Sequence, residues 1–133
     1  MILLDTHAAI WLITEDKSLG AKSRLIIQSA LAERTLFVSA ITFWEIALLV
    51  SKGRLQALRD PADQRTRILE SGIQELPLTG NIAILAVELR DLHGDPADRF
   101  IAATAIIHGA TLMTADADLL RWQHRIQRQD ASK

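Results

Sequence analysis

No cysteine occurs among the 133 residues. Disulfides and thiolate chemistry are therefore excluded, and a cytoplasmic location is expected. Any metal must be held by oxygen or imidazole ligands. No apolar run approaches the roughly 20 residues that a membrane-spanning helix needs, so no membrane partner is expected. The amino-terminal stretch MILLD lacks a basic region and meets Asp5 almost at once, which argues against a signal peptide. Neither sign of charge is in excess. Fifteen Lys and Arg against sixteen Asp and Glu give a net charge of -1 at pH 7, which exerts no global pull on a nucleic acid. Repeats, low-complexity tracts and linkers are also lacking. With 49% hydrophobic and 23% charged residues, the chain is expected to form one domain, 1–133, around a proper core.

What is present is an alternation of short apolar runs with helical patterns. Ile2–Leu4, stopped by Asp5, reads as a buried strand, and Thr6 to Ile13 as a short helix. Ser18 opens a helix to about Glu33, and Leu36–Val38 reads as a strand. Ser39 then caps a long helix to about Lys52, with Gly53 just beyond it. Pro61 begins a helix that ends near Gly72, 73–78 is a strand or extended connector, and a helix follows from about Gly80 to Leu92. The stretch HGDPADRFIAATA, residues 93–105, opens the next helix, which Gly109 closes. Thr111–Met113 is a strand stopped by Thr114-Ala115-Asp116, and a short helix carries Leu119, Leu120 and Trp122. This order implies an α/β sandwich with a mostly parallel central sheet.

In such sheets ligands sit at the carboxyl ends of strands, a rule that selects Asp5 and Asp116 together. Either alone is explained equally well as the cap of the helix that follows it. Asp118 reads as solvent-facing charge at a helix start, close enough to assist a site. Glu45 is the only charged group in LFVSAITFWEIALLV, residues 36–50. A helix apolar nearly all round is expected to be buried, and an ionised carboxylate is rarely buried there without a partner. Asp95 precedes Pro96 and is the natural cap of its helix. Asp98, one turn in, completes a capping box or joins the other acids. Asp5, Glu45, Asp98 and Asp116 brought together would repel one another and hold protons unless a cation compensates. Magnesium and manganese prefer such hard oxygen ligands, and in that setting can activate water against a phosphodiester.

The segments LLDTHAAIW (3–11), VSAITFWEIA (38–47), HGDPADRFIAATA (93–105) and LMTAD (112–116) together resemble the PIN-domain family of metal-dependent nucleases. Within it they resemble the small VapC-like toxins of bacterial type II toxin–antitoxin pairs. The resemblance spans nearly the whole chain, in the family's order, and implies a PIN-like α/β/α sandwich. It implies an endoribonuclease that uses Mg2+ or Mn2+, acts on RNA, forms a homodimer and is inhibited by a cognate antitoxin. By position, Asp5, Glu45, Asp98 and Asp116 match the family's catalytic and metal-holding acids, with Thr6 and Thr114 as flanking hydroxyls. Two departures stand out. Leu48-Leu49 replaces a lysine that relatives often carry soon after the helix glutamate, and Ala97 stands where they often have a large apolar residue.

His7 is expected to pack or bond locally, His93 to order the loop before Asp95, and Arg99 to form a structural pair. Trp11, Trp44 and Trp122 are read as core or dimer-interface residues. Two clusters are basic: Lys52, Arg54, Arg59, Arg65 and Arg67 in mid-chain, and Arg121, Arg125, Arg128 and Lys133 at the end. Such clusters are ordinarily solvated surface, with phosphate contact as the other reading. Two rival functions remain. An aspartate-based phosphatase would use Asp5 as nucleophile, but Asp5-Thr6-His7 lacks the second aspartate usual two residues on. A non-catalytic protein-interaction domain of the same fold would not need all four acids.

Overall fold

The computed structural model describes residues 1–55 and 60–133, so Arg59 of the mid-chain basic cluster lies outside the described residues. Five strands, β1 (Ile2–Leu4), β2 (Leu36–Ser39), β3 (Gln74–Leu76), β4 (Thr111–Thr114) and β5 (Arg128–Asp130), form one sheet in the order β3-β2-β1-β4-β5. Every pairing is parallel. The register aligns Leu3 with Phe37 and Leu112, and Leu4 with Val38 and Met113. Because side chains alternate across a strand, Leu3 and Leu112 point into one core and Leu4 and Met113 into the other.

Helices cover both faces. On one side lie α1 (Thr6–Ile13), α2 (Ala21–Ala32) and α4 (Pro61–Glu70), which bury Ala8, Ala9, Ile27, Ala30 and Ile68 against Leu4, Val38 and Met113. On the other lie α5 (Gly80–Glu88), α6 (Pro96–His108) and α7 (Ala117–Arg121). Ile82, Ala86, Ile101, Ala102, Ala105 and Leu119 from these helices pack with Leu3 and Leu112. The expected α/β sandwich is therefore present, with its sheet parallel throughout. β1 sends its chain to one side and has β4 on the other, so the strand order reverses between them. The carboxyl ends of β1 and β4 flank the crevice where such sheets bind ligands.

The helix α3 (Ala40–Ser51) corrects an expectation. Its apolar sequence suggested burial all round, yet only Thr42 and Ile46 are buried, and Trp44 is 52% exposed. One stripe packs on α1, α4 and α6, and among the described residues no layer covers the rest of its apolar surface. Three boundaries also moved. Asp16 takes the Ser18 amide into a turn at 2.8 Å, so α2 starts after Gly20 rather than at Ser18. Trp122 lies just past α7, buried in the core with its indole N–H on the Arg90 carbonyl at 2.8 Å. The strand β5 was not expected from its sequence.

The third shift has a single cause. α5 ends at Glu88 instead of near Leu92 because Arg99 takes the carbonyls there. Its Nε donates to Ala86, Nη2 to Val87 and Leu89, and Nη1 to Leu92 and His93, at 2.7–3.2 Å. All five guanidinium protons are thus spent on backbone oxygens. The structural role expected for Arg99 is present, though it pairs with carbonyls and no acid.

Arg99→Ala is expected to lose about 3 kcal/mol of stability, since hydrogen bonds to a charged donor are among the stronger ones and the carbonyls are left partly dry. Arg99→Lys should recover less than half, because three donors on a point cannot span five carbonyls. Urea unfolding of the two variants measures both; a loss below 1 kcal/mol for alanine would contradict the clamp.

Candidate active site

Asp5 follows β1 directly and is 4% exposed. Its Oδ1 accepts the Ala8 amide at 2.8 Å, capping α1, while Oδ2 accepts the Thr114 hydroxyl. Thr114, the last residue of β4, is fully buried and also receives the Asp116 amide on its Oγ1 at 3.0 Å. One hydroxyl therefore ties the ends of two strands together. Asp116 caps α7 through Oδ1, which accepts the Leu119 amide at 2.9 Å. Capping and site membership are thus compatible: in each aspartate one oxygen starts a helix.

Glu45 projects from α3 and is half-buried. Its Oε1 accepts the hydroxyl of Thr6, the buried first residue of α1, whose Oγ1 also lies 3.2 Å from that of Thr42. Thr6 and Thr114 therefore act as paired struts, one for Glu45 and one for Asp5.

Asp98 does not close a capping box. Asp95 caps α6 by accepting the Asp98 amide at 3.3 Å, but the reciprocal bond is not made. The Asp95 amide instead donates to Nδ1 of His93 at 3.2 Å. The Asp98 carboxylate is left to turn inward, and Asp5, Asp98 and Asp116 line one cavity of about 250 Å3 with His7, Trp11 and Ala115. His93 does order the loop, as expected, and also enters the cluster. Its Nε2 is buried without a hydrogen bond, 3.3 Å from Asp98 and 3.8 Å from Asp116. His7 corrects its reading: it is exposed on the cavity wall and makes no packing contact on α1's buried face. Asp118 is exposed and paired with Arg121 at 3.3 Å, outside this cavity. Loop conformation gave no sequence signal for His93.

The charges respond as crowded acids should. Burial, then the charges of Asp95, Asp116, Glu45 and Asp5, push the Asp98 carboxyl up to about 8. Burial likewise raises Asp5 against the opposing hydrogen bonds from Thr114 and Ala8. It also raises Glu45 against the hydroxyl of Thr6. Each of these groups holds a proton more tightly than in water, which marks a site suited to a compensating cation. Donor atoms of His93, Asp98 and Asp116 lie within 4.8 Å of one another. With Nδ1 of His93 accepting an amide, the neutral ring carries its proton on Nε2 and serves as a donor, not a ligand. The donor set is therefore carboxylate oxygen, which fits a hard divalent ion.

Residues 2–124 match the model of the PIN domain family. Ribonuclease VapC22 of Mycobacterium tuberculosis is 36% identical over 124 residues, 92% of each chain. A toxin–antitoxin complex from Klebsiella pneumoniae superposes with a TM-score of 0.62 at 24% identity, covering 92% of this chain and 93% of that one. VapBC2 of Rickettsia felis, solved on a DNA fragment from its promoter, superposes at 0.70 with 20% identity over 97% and 98% of the two chains. These structural likenesses establish the fold.

The raised carboxyls set a direction for stability. Asp98 binds a proton up to about pH 8 when folded but only near the ordinary carboxylate value of 3.8 when unfolded, so between these values the folded chain holds more protons. Its contribution is greatest below pH 3.8 and is lost as pH rises to about 8. In chelator, the melting temperature of the wild type relative to Asp98→Asn should therefore fall between pH 5.5 and 8. Magnesium should shrink that fall by replacing the proton. A difference that is flat or rises with pH in chelator would contradict the coupling.

Proposed function

Because the chain belongs to the PIN domain family, we propose that it is the ribonuclease toxin of a type II toxin–antitoxin pair, hydrolysing RNA phosphodiester bonds with Mg2+ or Mn2+ held by Asp5, Glu45, Asp98 and Asp116. The observation that carries this reading is Asp98. Its carboxyl makes no return bond to its own helix cap and is raised to about 8 by burial and by the charges of Asp95, Asp116, Glu45 and Asp5. The bound ion would supply Lewis-acid stabilisation of the charge that develops on the phosphate oxygens and would lower the pKa of water nearby.

The chain's own residues supply position and proton handling. Asp5 is immobilised by the Ala8 amide and the Thr114 hydroxyl, and Asp116 by the Leu119 amide, so neither needs to reorganise as charge develops. Glu45 keeps one oxygen on Thr6 and offers the other. Burial raises its affinity for a proton, which suits it to take one from the attacking water. The Nε2–H of His93 faces Asp98 and Asp116, where a phosphate oxygen would meet a donor. A phosphatase using Asp5 as nucleophile is less well served, since both of its oxygens already accept hydrogen bonds at a buried position.

The antitoxin is the expected protein partner, by analogy with the Klebsiella complex. Trp44 on α3 and Ile84 and Val87 on α5 expose apolar surface that an antitoxin or a second copy of the chain would cover. One domain over 1–133, acting in the cytoplasm, completes the proposal.

Asp5→Asn and Asp98→Asn should each slow RNA cleavage in magnesium on the order of 100-fold or more, the scale on which fixed electrostatic groups act. Both proteins should keep the wild-type circular dichroism, and Asp98→Asn should melt higher in chelator near pH 7, because the amide needs no proton taken up on folding. Cleavage at the wild-type rate by either folded variant would remove the assignment.

A further inference from the structure

A pocket of carboxylates repels the polyanion it is meant to cut, and a net charge of -1 gives no compensating attraction. Affinity must come from a local positive surface that adjoins the acids. Of the two basic clusters, the mid-chain one has two of its arginines engaged by acids. Arg65 donates to Glu75 at 2.8 Å and 3.2 Å, and Arg67 pairs with Asp63 at 3.0 Å.

The carboxy-terminal cluster is arranged differently. His93, which faces Asp98, also lines a neighbouring cleft of about 350 Å3 with Asp91, Asp118 and Arg121. Arg121 then passes into a second cleft of about 480 Å3 lined by His124, Arg125 and Arg128, with no carboxylate in its wall. Arg121 meets only Asp118, in a pair whose side chains are 76% and 59% exposed and which water therefore screens. Arg125 has no acid within 4.0 Å among the described residues. Arg128 is committed to the wall, its Nη2 donating to the carbonyls of Trp122 and His124. That wall is rigid in another way. The exposed His124 ring stacks on buried Trp122, centroids 4.6 Å apart and planes 21° from parallel, which leaves its outer face bare.

We propose that this succession of clefts is the path of the RNA: a single strand leaves the carboxylates over His93 and lays successive phosphates against Arg121 and Arg125, with a base on the open face of His124. The charge changes sign along the path, negative where a cation is to sit, mixed in the first cleft with Asp91, Asp118 and Arg121, and positive in the second with Arg121, Arg125 and Arg128. Arginine offers a planar fork to phosphate oxygens, and an aromatic face accepts any base, so the track binds backbone and stack without selecting sequence. The inference rests on the ribonuclease reading.

The test uses the full chain carrying Asp5→Asn, with a fluorescent single-stranded RNA of about 12 nucleotides, within the range of known single-strand sites. Anisotropy titrations in magnesium give Kd across salt concentrations. Adding Arg121→Ala and Arg125→Ala should raise Kd about tenfold or more and reduce the salt slope by about 1.4, the value for two phosphate contacts on a single strand. His124→Ala should weaken binding with the slope unchanged. Arg65→Ala with Arg67→Ala, whose guanidiniums already meet Glu75 and Asp63, should leave both quantities alone. In the active chain the Arg121/Arg125 pair should raise KM in step with Kd. All these side chains are exposed or outside the core, so the fold should tolerate the changes. Unchanged Kd and slope in the Arg121/Arg125 pair, while the wild type cleaves RNA, would overturn the path and leave the nuclease standing. An equal loss at Arg65/Arg67 would also overturn it. A wild type that neither cleaves nor binds RNA in magnesium or manganese would take the path and the nuclease reading down together.

Discussion

Carboxylates from separate elements crowd one end of the sheet, and their mutual repulsion is the constraint on which the rest of the site depends. Burial in a half-dry cleft, with that repulsion added, holds a proton on Asp98 up to about pH 8. The protein contains it by giving three of the four acids a fixed donor. Asp5 has the Thr114 hydroxyl and the Ala8 amide, Glu45 has Thr6, and Asp116 has the Leu119 amide. Two of these donors are helix amino termini, whose partial positive charge favours an anion. The threonines are buried to a few percent or less, so they cannot turn away to water. The acids are thereby prevented from escaping to solvent, which is the cheapest relief open to a surface carboxylate.

The same constraint explains why Asp98 does not behave as its local sequence suggests. D-P-x-D is a sound capping box, and a solitary helix would close it. Here the Asp95 amide is satisfied by His93 Nδ1, and the loop that presents His93 is held by Arg99 through the carbonyls of Leu92 and His93. Arg99 sits one residue from Asp98 on the same helix turn. The helix thus carries both an acid for the site and the clamp that places that acid's neighbour. Position along the helix alone could not separate these roles, because both residues look like ordinary charge in a first turn.

Much of the frame was legible because local chemistry and tertiary need agree. Asp5, Ser39, Asp60, Thr79, Asp95 and Asp116 cap helices through their side chains, and Gly109 closes α6 at φ 60°. The apolar runs Ile2–Leu4 and Thr111–Met113 lie at the centre of the sheet, where both faces are covered. Legibility fails where pairing or packing comes from far away. β5 reads Arg128-Gln129-Asp130, with no apolar alternation, and is a strand only because β4 offers it a free edge. α3 reads as a core helix but is half uncovered, since hydrophobicity reports that a face will be hidden and not by what. The four acids were legible as types and positions. The hydrogen bonds that select their oxygens were not, because the Thr6–Glu45 and Thr114–Asp5 pairs join residues 39 and 109 positions apart.

The unforeseen strand has a functional consequence. Pairing Leu112 with Arg128 returns the segment 122–127 from the carboxyl end of β4, where the acids lie, to its start, where the Gln127 carbonyl accepts the Leu112 amide at 2.9 Å. Without β5 the terminal arginines would be loose charge at the end of a chain. With it, Arg128 pins the carbonyls of Trp122 and His124, and the Trp122 indole anchors to Arg90, next to the loop that carries His93. A near-neutral chain therefore separates its charge in space, acids inside the crevice and arginines along the adjoining edge. For a polyanionic substrate cut with a cation, that separation matters more than the sum, because at physiological salt only charges within about 8 Å of the phosphates are felt at full strength.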